Sequence, residues 1–177
     1  MSECSRSTPY SIWRQLFEVI ARIERLNCPP ADCLGALIAE SEAHGLRFVR
    51  RLADEWTSGA TRFDRPGETL LVAAVDGRTV GVCGLNIDPY AARPDIGRVR
   101  HLYVLLESRR LGVGRQLVTA VVEAARGRFE RLRLRTENPA AARFYEQLGF
   151  RPVLDVADCT HVMELAPGSP GSPCTSR

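Results

Sequence analysis

The chain has 177 residues, of which 45% are hydrophobic and 25% charged, a balance typical of one soluble globular domain with a proper core. No apolar run approaches the ~18 to 20 residues of a membrane span, and the first residues lack a basic stretch followed by an apolar one. We therefore expect no membrane span and no signal peptide, and a cytoplasmic protein. The net charge of +3 is too small to indicate a polyanionic partner.

All 24 basic residues are arginine. A total absence of lysine is typical of a biased genomic base composition. The number of arginines therefore does not by itself indicate an anionic ligand. The six cysteines form no C-x-x-C pair, and no histidine stands at metal-ligand spacing from them. We therefore expect ordinary thiols, with no metal site and no disulfide framework, at Cys4, Cys28, Cys33, Cys83, Cys159 and Cys174.

The amino-terminal half mixes helical and strand periodicity. Residues 13–26 fit both patterns, and we favour a strand that ends near Leu26 because Pro29 and Pro30 then open a new element. Helical spacing predicts one helix over 31–43, ended by Gly45, and a second over 48–56, ended by Gly59.

Strand periodicity dominates from Thr69 onward. Asp76-Gly77 is a strong tight-turn signal between two strands, which predicts a hairpin. The further predicted elements are strands at 69–75, 79–87, 98–104 and 131–136, a helix that follows Gly112, a helix from Asn138 to Gly149, and short strands in FRPVL and HVMEL.

Two glycines stand where the helix after strand 98–104 begins, in RRLGVG. Gly112 and Gly114 fall in a first helical turn whose backbone N–H groups have no internal partner, and the missing side chains let an anion approach closely. Arg109, Arg110 and Arg115 would add positive charge. A plain strand-to-helix turn that needs glycine for packing is the simpler interpretation, since the sequence has no G-K-[ST] and no third glycine at dinucleotide spacing.

A second motif follows in NPAAARFYEQLGF. With it, the sequence resembles the GNAT superfamily of N-acetyltransferases, whose pyrophosphate signature is Arg or Gln, two residues, Gly, one residue, then Gly or Ala. Arg109, Gly112 and Gly114 match that signature. The family's later helix pattern is matched by Asn138, Ala141, Phe144, Tyr145, Glu146, Gly149 and Phe150. The motif match covers about residues 98–153.

The resemblance implies an α/β (α+β) fold. Its central sheet is mixed and mostly antiparallel, with about six to seven strands and about four flanking helices. Strands 98–104 and 131–136 would part as a splayed parallel pair and form a cleft for acetyl-CoA. We expect a single domain over 1–166 and a disordered tail over 167–177, which is rich in Pro, Gly and Ser.

The resemblance also implies site residues. Tyr145 matches the family's usual acid, and because an unperturbed phenol has a pKa of ~10 against ~8.5 for a thiol, it should act as a hydrogen-bond donor to the departing sulfur. Core packing is the alternative role for Tyr145. Asn138 would cap its helix and touch the cofactor arm. The other expected cofactor contacts are Leu102, Val104 and Leu106 through main-chain groups, and Arg109, Arg110, Leu111, Gly112, Val113, Gly114 and Arg115 around the pyrophosphate.

The general base is not marked by a motif. Many relatives place a glutamate on the strand before the pyrophosphate loop, but this sequence has Arg98 and Arg100 there. Asp88 and a water chain are the preferred candidates, ahead of His101, because a lone histidine is more often structural. If Arg98 or Arg100 faces the acceptor, we expect the substrate to carry an acidic group. A salt bridge within the protein is the alternative role for these arginines.

These expectations predict an enzyme that transfers the acetyl group of acetyl-CoA, without a metal, to a primary amine of a small molecule or peptide. A non-catalytic acyl-CoA-binding module and a transferase for longer acyl groups are the alternatives. We expect a monomer or homodimer and no membrane or nucleic-acid partner, despite the basic strand of Arg131, Arg133 and Arg135. The predicted acceptor pocket contains Trp56, Phe63, Asp88 and Tyr90.

Overall fold

A computed structural model describes residues 19–165. In that range the chain forms seven strands and five α-helices. In chain order they are β1 (Arg22–Arg25), α1 (Pro30–Cys33), α2 (Gly35–Ala43), α3 (Phe48–Ser58), β2 (Thr69–Val75), β3 (Arg78–Ile87), β4 (Ile96–Val104), α4 (Val113–Ala125), β5 (Arg131–Leu134), α5 (Pro139–Glu146), β6 (Arg151–Pro152) and β7 (His161–Glu164), with a 3-10 turn at Leu106–Ser108.

All seven strands belong to one sheet in the order β1-β2-β3-β4-β5-β7-β6. Every neighbouring pair is antiparallel except β4 and β5, which are parallel. The mixed, mostly antiparallel sheet expected from the sequence is thereby confirmed. The parallel pair follows from connectivity, because α4 carries the chain from the end of β4 back to the start of β5.

Helices cover both faces of the sheet. Gly81 and Gly84 lie three residues apart on β3 and therefore face opposite sides. A Cβ on Gly81 would lie 2.9 Å from Leu117 of α4, and a Cβ on Gly84 would lie 2.7 Å from the Phe63 ring, which is on the side of α2 and α3. Both glycines are needed for close packing. The core is therefore two-layered, with fully buried Leu117 on one side and Leu52 on the other.

The predicted hairpin and the helix after residue 47 are confirmed. Asp76 and Gly77 adopt φ angles of 49° and 77°, which a two-residue turn between strands requires. Gly59 ends α3 in the left-handed conformation, with φ 81°. β4 begins two residues earlier than predicted, at Ile96, and β5 ends two residues earlier, at Leu134.

The single helix predicted over 31–43 is wrong, because the structure divides it. α1 ends at Cys33, Leu34 adopts φ −109°, and α2 begins at Gly35. Pro29 and Pro30 start the short helix α1. Glycine at position 35 disfavours a continuous helix through this point, and the second helix, α2, begins there.

The expectation of ordinary thiols is also wrong at one pair, since a disulfide joins Cys28 and Cys33. The single turn of α1 returns the chain over Cys28 and brings the two Cα atoms to 6.6 Å. The sequence did not predict this pairing, because the spacing C-x-x-x-x-C is not a recognised cysteine motif. Cys83 and Cys159 are free and buried.

Within residues 19–165, no helix is long and apolar enough to cross a membrane. The predicted tail at 167–177 and the first part of the ambiguous segment at 13–26 lie outside the described residues. The described part of the ambiguous segment contains β1, which confirms the preference for a strand there.

Candidate active site

A gap opens between β4 and β5 because the two strands pair over only three residues each. Beyond that point β4 continues to Val104 with β3 as its neighbour. The N–H of Leu105 donates to Val80 of β3 at 2.9 Å, so by alternation the main-chain groups of Val104 and Leu102 point to the opposite edge, into the gap. The paired residues are Ile96 with Arg131, Gly97 with Leu132 and Arg98 with Arg133.

β4 carries a bulge beside this gap. Val82 pairs with Tyr103 and Gly84 with Arg100, so β4 has one residue more than β3 between the two pairs. His101 takes up the extra length with a φ of 59°. The bulge turns both Arg100 and His101 toward α3, where they meet the same carboxylate, that of Glu55.

The glycine loop, residues 109–114, leads from the 3-10 turn into α4. Gly112 is the N-cap residue of α4 with a φ of 82°, and Arg110 also has a positive φ of 64°. The first hydrogen bond of the helix runs from Gln116 N to Gly112 O at 3.0 Å. The N–H groups of Val113, Gly114 and Arg115 precede it and have no partner within the helix, which is the arrangement that binds anions.

Several of the predicted cofactor contacts are engaged within the protein, among them Leu111, whose carbonyl oxygen accepts from the N–H of Val19 at 3.1 Å. Arg109 donates from Nε to the carbonyl oxygen of Val104 at 2.8 Å, and its guanidinium lies 5.2 Å from the centre of the Tyr103 ring. The N–H of Leu106 donates to Oε1 of Glu40 at 2.9 Å. Arg109 therefore braces the end of β4.

The two sequence motifs meet in space. A Cβ on Gly114 would lie 3.5 Å from Cζ of Phe144, so α5 packs against the first turn of α4. Asn138 caps α5, since its Oδ1 accepts from the N–H of Ala140 at 2.9 Å. Its predicted capping role is confirmed, and its contact with the cofactor arm stays a prediction.

Tyr145 lies beside this junction, 7% exposed, with its ring edge-on to Phe144 and Phe150. Burial raises the pKa of Tyr145 well above its usual 10, and the nearby Cys83 raises it further. Burial also raises the pKa of the Cys83 thiol to about 12. Both groups therefore hold their protons at neutral pH, and Tyr145 is a hydrogen-bond donor.

Asp88 is 1% exposed and lies between two buried arginines. Its Oδ2 is 3.3 Å from Nε of Arg133 and 3.5 Å from Nη1 of Arg98, and its Oδ1 accepts from the N–H of Tyr90. Arg98 also donates to the carbonyl oxygen of Asp158, and Arg133 donates to the carbonyl oxygen of Ala157, both at 2.8 Å. Asp88 thus joins β4, β5 and their flanking loops, and its predicted role as a base has no solvent route in this geometry.

His101 packs against α3, on the same side of the sheet as Arg100, because the bulge interrupts strand alternation at this position. Its Nδ1 lies 3.1 Å from the carbonyl oxygen of Phe48, and its ring packs on those of Phe48 and Phe63. Burial, with a smaller contribution from Arg100, lowers the pKa of His101 to about 3. The histidine is neutral at physiological pH and is held as a structural side chain.

The four predicted acceptor-pocket residues separate into two groups. Trp56 and Phe63 line a cavity of about 410 Å³ with Arg25, Leu26, Asn27, Arg62, Asp64 and Leu70. Asp88 and Tyr90 are not among its lining residues; Tyr90 lies under the Arg98 guanidinium at 4.8 Å and is 58% exposed. This cavity therefore includes two of the four predicted residues.

Two carboxylates that touch β4 were missed by sequence reasoning. Glu55 of α3 accepts from Nη2 of Arg100 at 3.2 Å, and Glu40 of α2 accepts from the hydroxyl of Tyr103 at 3.0 Å. No motif marks either residue. Helical spacing was an available signal, because Glu55 stands three residues after buried Leu52 and thus on the same face of its helix.

A mixed sheet with one splayed parallel pair, and an open helix start beside the splay, is the arrangement that the resemblance to the acetyltransferases implied. Comparison with known proteins agrees. Residues 66–152 match the family described as acetyltransferase (GNAT) domain. The chain therefore contains a GNAT acetyltransferase domain over these residues, as the motifs predicted.

Individual relatives differ in how much of the chain they resemble. An aminoglycoside N(6')-acetyltransferase type 1 of Klebsiella aerogenes is 42% identical over 77 residues, which are 42% of this chain and 49% of the relative. The match thus spans about half the length of that curated relative. A protein of Exiguobacterium sp. 255-15 assigned to the acetyltransferases has a TM-score of 0.73 and 29% identity, covering 82% of this chain and 93% of its own.

A third similarity shows the fold alone. N-acetylglutamate synthase from Neisseria gonorrhoeae, complexed with coenzyme A and N-acetylglutamate, has a TM-score of 0.64 at 19% identity. The similarity covers 84% of this chain and 36% of the synthase. The same sheet and helix arrangement therefore occurs in a protein that binds coenzyme A.

Proposed function

We propose that the protein transfers the acetyl group of acetyl-CoA to a primary amine of a small molecule or peptide. The observation that carries the proposal is the meeting of three features at one place. The gap between β4 and β5 opens after Arg98, the unpartnered amides of Val113 to Arg115 lie at the start of α4, and Tyr145 lies on the helix that packs against them.

The residues present fit acetyl-CoA. The first-turn amides of α4 would hold the pyrophosphate, with Arg110 and Arg115, both exposed, adding charge. The main-chain groups of Leu102 and the N–H of Val104 would pair with the pantetheine amides as an added strand would, whereas the Val104 carbonyl oxygen already accepts from Arg109. When bound, acetyl-CoA supplies an activated acyl group and a thiolate leaving group.

Tyr145 would donate a hydrogen bond to negative charge that develops at the sulfur. Its buried hydroxyl holds its proton, because burial raises its pKa. A hydrogen-bond donor that is fixed before the reaction stabilises developing charge without reorganisation, and one such donor contributes a factor of about 100 to 1,000 in rate.

The amine's proton leaves through water in this proposal. Asp88 has no exposed side-chain surface and is held by two arginines, and neutral His101 faces α3 with its Nδ1 on the Phe48 carbonyl. Neither side chain is placed to accept a proton from a group in the gap.

The test uses the full chain. Calorimetry with coenzyme A measures binding, and release of free thiol from acetyl-CoA is then followed with a panel of amines that includes an aminoglycoside, because one relative is named for that acceptor. We expect coenzyme A to bind and at least one amine to accelerate thiol release.

Two results would overturn the proposal. Absence of coenzyme A binding would remove the role of the glycine loop. Binding without turnover of any amine would instead favour the non-catalytic acyl-CoA-binding module. Faster turnover with a longer acyl-CoA than with acetyl-CoA would correct the acyl group and leave the class of reaction unchanged.

A further inference from the structure

Arg100 stands at the point where β4 has just left β5. It follows the last paired residue, Arg98, by two positions and therefore lies on the same face of the strand. Its side chain is 22% exposed, so the guanidinium is neither buried in the core nor free in solvent. This position borders the gap on the side opposite α4.

Only part of the Arg100 guanidinium is used within the protein. Among residues 19–165, its one hydrogen-bond partner is Oε2 of Glu55, at 3.2 Å from Nη2. A guanidinium has five N–H donors in a planar fork and binds a carboxylate through two parallel hydrogen bonds. Donors of Arg100 therefore remain for a ligand.

The surrounding charges leave an excess of positive charge. Three guanidiniums, those of Arg98, Arg100 and Arg133, share two carboxylates. Asp88 is occupied by Arg98 and Arg133, whose side chains are 10% and 9% exposed, so only Glu55 compensates Arg100. We call this set of five residues the arginine face.

The incomplete compensation also affects the pKa of Arg100. Burial lowers the pKa of Arg100, and Arg98 and Arg51 lower it further, while Glu55 and Tyr90 raise it and offset only part of the decrease. A bound anion would offset the remainder. Of the three guanidiniums, Arg100 is the most exposed and, within the described residues, the one without a second hydrogen-bonding partner.

We propose that Arg100 binds a carboxylate of the acceptor, so that the substrates are amines which also carry an acidic group, such as amino acids or peptides. This inference rests on the proposed function and narrows its substrate class. Strongly cationic acceptors would be repelled by the arginine face, because it carries net positive charge in a partly desolvated place.

The experiment compares acceptors that differ by one carboxylate. Phenylalanine and phenethylamine form one pair, and histidine and histamine form another. We expect kcat/KM, measured by thiol release from acetyl-CoA, to be higher for the acid of at least one pair. An aminoglycoside serves as the polycationic acceptor and should be poorer than both.

Variants then assign the preference to Arg100. Arg100→Gln should raise KM for the preferred acid about 10- to 100-fold, the usual loss for a charge-assisted hydrogen bond, and leave its carboxylate-free analogue unchanged. Arg100→Lys should lose part of the preference because lysine keeps the charge and lacks the fork. Arg131→Gln is the matched control, since Arg131 is 46% exposed and paired with Glu164 outside the arginine face.

Removal of Arg100 leaves Glu55 unpaired, so a folding defect must be separated from lost binding. The double variant Arg100→Gln with Glu55→Gln keeps a neutral hydrogen-bonding pair at this place and should fold. Thermal unfolding and coenzyme A affinity of each variant report whether the fold and the glycine loop are intact.

The outcomes distinguish a failure of this inference from a failure of the proposed function. Turnover of amines with no carboxylate preference, or an equal loss for both members of a pair in Arg100→Gln, overturns the inference and leaves the proposed function standing. Failure of every amine to accelerate thiol release overturns the proposed function, and the inference falls with it. A carboxylate preference that Arg100→Gln abolishes supports both.

Discussion

The glycine loop and the arginine face lie on either side of the same strand, and they are built differently. The loop consists of consecutive residues that act through their backbone conformation, with Gly112 in the left-handed region and the first three N–H groups of α4 without a partner in the helix. The arginine face is assembled from side chains of α3, β4, β5 and the loop after β3. Backbone sites tolerate variation in side chains, whereas the face depends on each charge.

On the proposed function, this difference accounts for one fold serving different acceptors. A coenzyme that is common to a family can be held by main-chain groups, which every sequence supplies. An acceptor that varies must be recognised by side chains, and these come from segments that are distant in sequence. We therefore expect changes on the arginine face to alter stability or acceptor choice, and changes around the glycine loop to alter coenzyme A binding or rate.

The largest effect is expected from Asp88→Asn, which removes the carboxylate between Arg98 and Arg133. Breaking a buried ion pair from one side leaves uncompensated charge and costs about 3 to 5 kcal/mol. The free energy of unfolding, from urea titration at pH 7, measures it. Asp95→Asn is the control, because Asp95 pairs with exposed Arg93 and surface pairs contribute about 0 to 1 kcal/mol.

The same variant decides the role of Asp88. A stable protein that has lost turnover would restore Asp88 as the general base. A destabilised protein that keeps its rate per folded molecule would confirm that the arginine face needs this charge for its structure.

Next in size is Tyr145→Phe, on the helix that packs against the start of α4. The variant keeps the ring packing on Phe144 and Phe150 and removes one hydrogen-bond donor, so kcat should fall about 100-fold with coenzyme A affinity unchanged. Thiol release and calorimetry measure the two quantities. Phe150→Leu, which perturbs the same cluster without a hydroxyl change, is the control for packing. An unaltered kcat would show that Tyr145 is a core residue, the alternative considered from the sequence.

A third prediction concerns pH and the bulge in β4. Burial lowers the pKa of His101 to about 3 in the folded protein. In the unfolded chain, His101 takes up a proton near pH 6.5, whereas in the folded protein it stays neutral at that pH. Stability contributed by neutral His101 is therefore complete above pH 7 and is lost as the pH falls, by about 2 kcal/mol at pH 5. The Glu55 carboxylate, 4.0 Å from Nε2, does not prevent this loss because Arg100 already holds it.

The comparison variant for this effect is His101→Asn. Asparagine tolerates the positive φ of position 101 and does not titrate, so the loss of stability between pH 7 and pH 5 should be smaller by the amount that His101 contributes. His44 and His161 remain in both proteins and cancel in the difference. Identical pH dependence in the two proteins would contradict a buried neutral histidine at the bulge.

The sequence predicted the glycine loop better than the arginine face, for the same physical reason. Gly112, Asn138 and the Asp76-Gly77 turn act through local backbone geometry, which neighbouring residues determine. The contacts of Glu55 with Arg100 and of Asp88 with Arg133 join segments 45 residues apart, so periodicity could place the elements without pairing the side chains. The break at Leu34 was missed because two consecutive helices with a common apolar stripe have the periodicity of one, and the Cys28–Cys33 bridge was missed because its spacing matches no recognised motif.

The smallest expected effect is that of Gly112→Ala at the start of α4. A side chain at φ 82° costs about 1 to 2 kcal/mol of stability and shifts the amides that follow, so coenzyme A should bind about tenfold more weakly. Gly35→Ala is the matched control, since a Cβ there meets open space at ordinary φ and alanine favours helix α2. Unaltered affinity in Gly112→Ala would mean that side chains such as Arg110 and Arg115 hold the coenzyme, and the contrast between a backbone site and a side-chain site would then disappear.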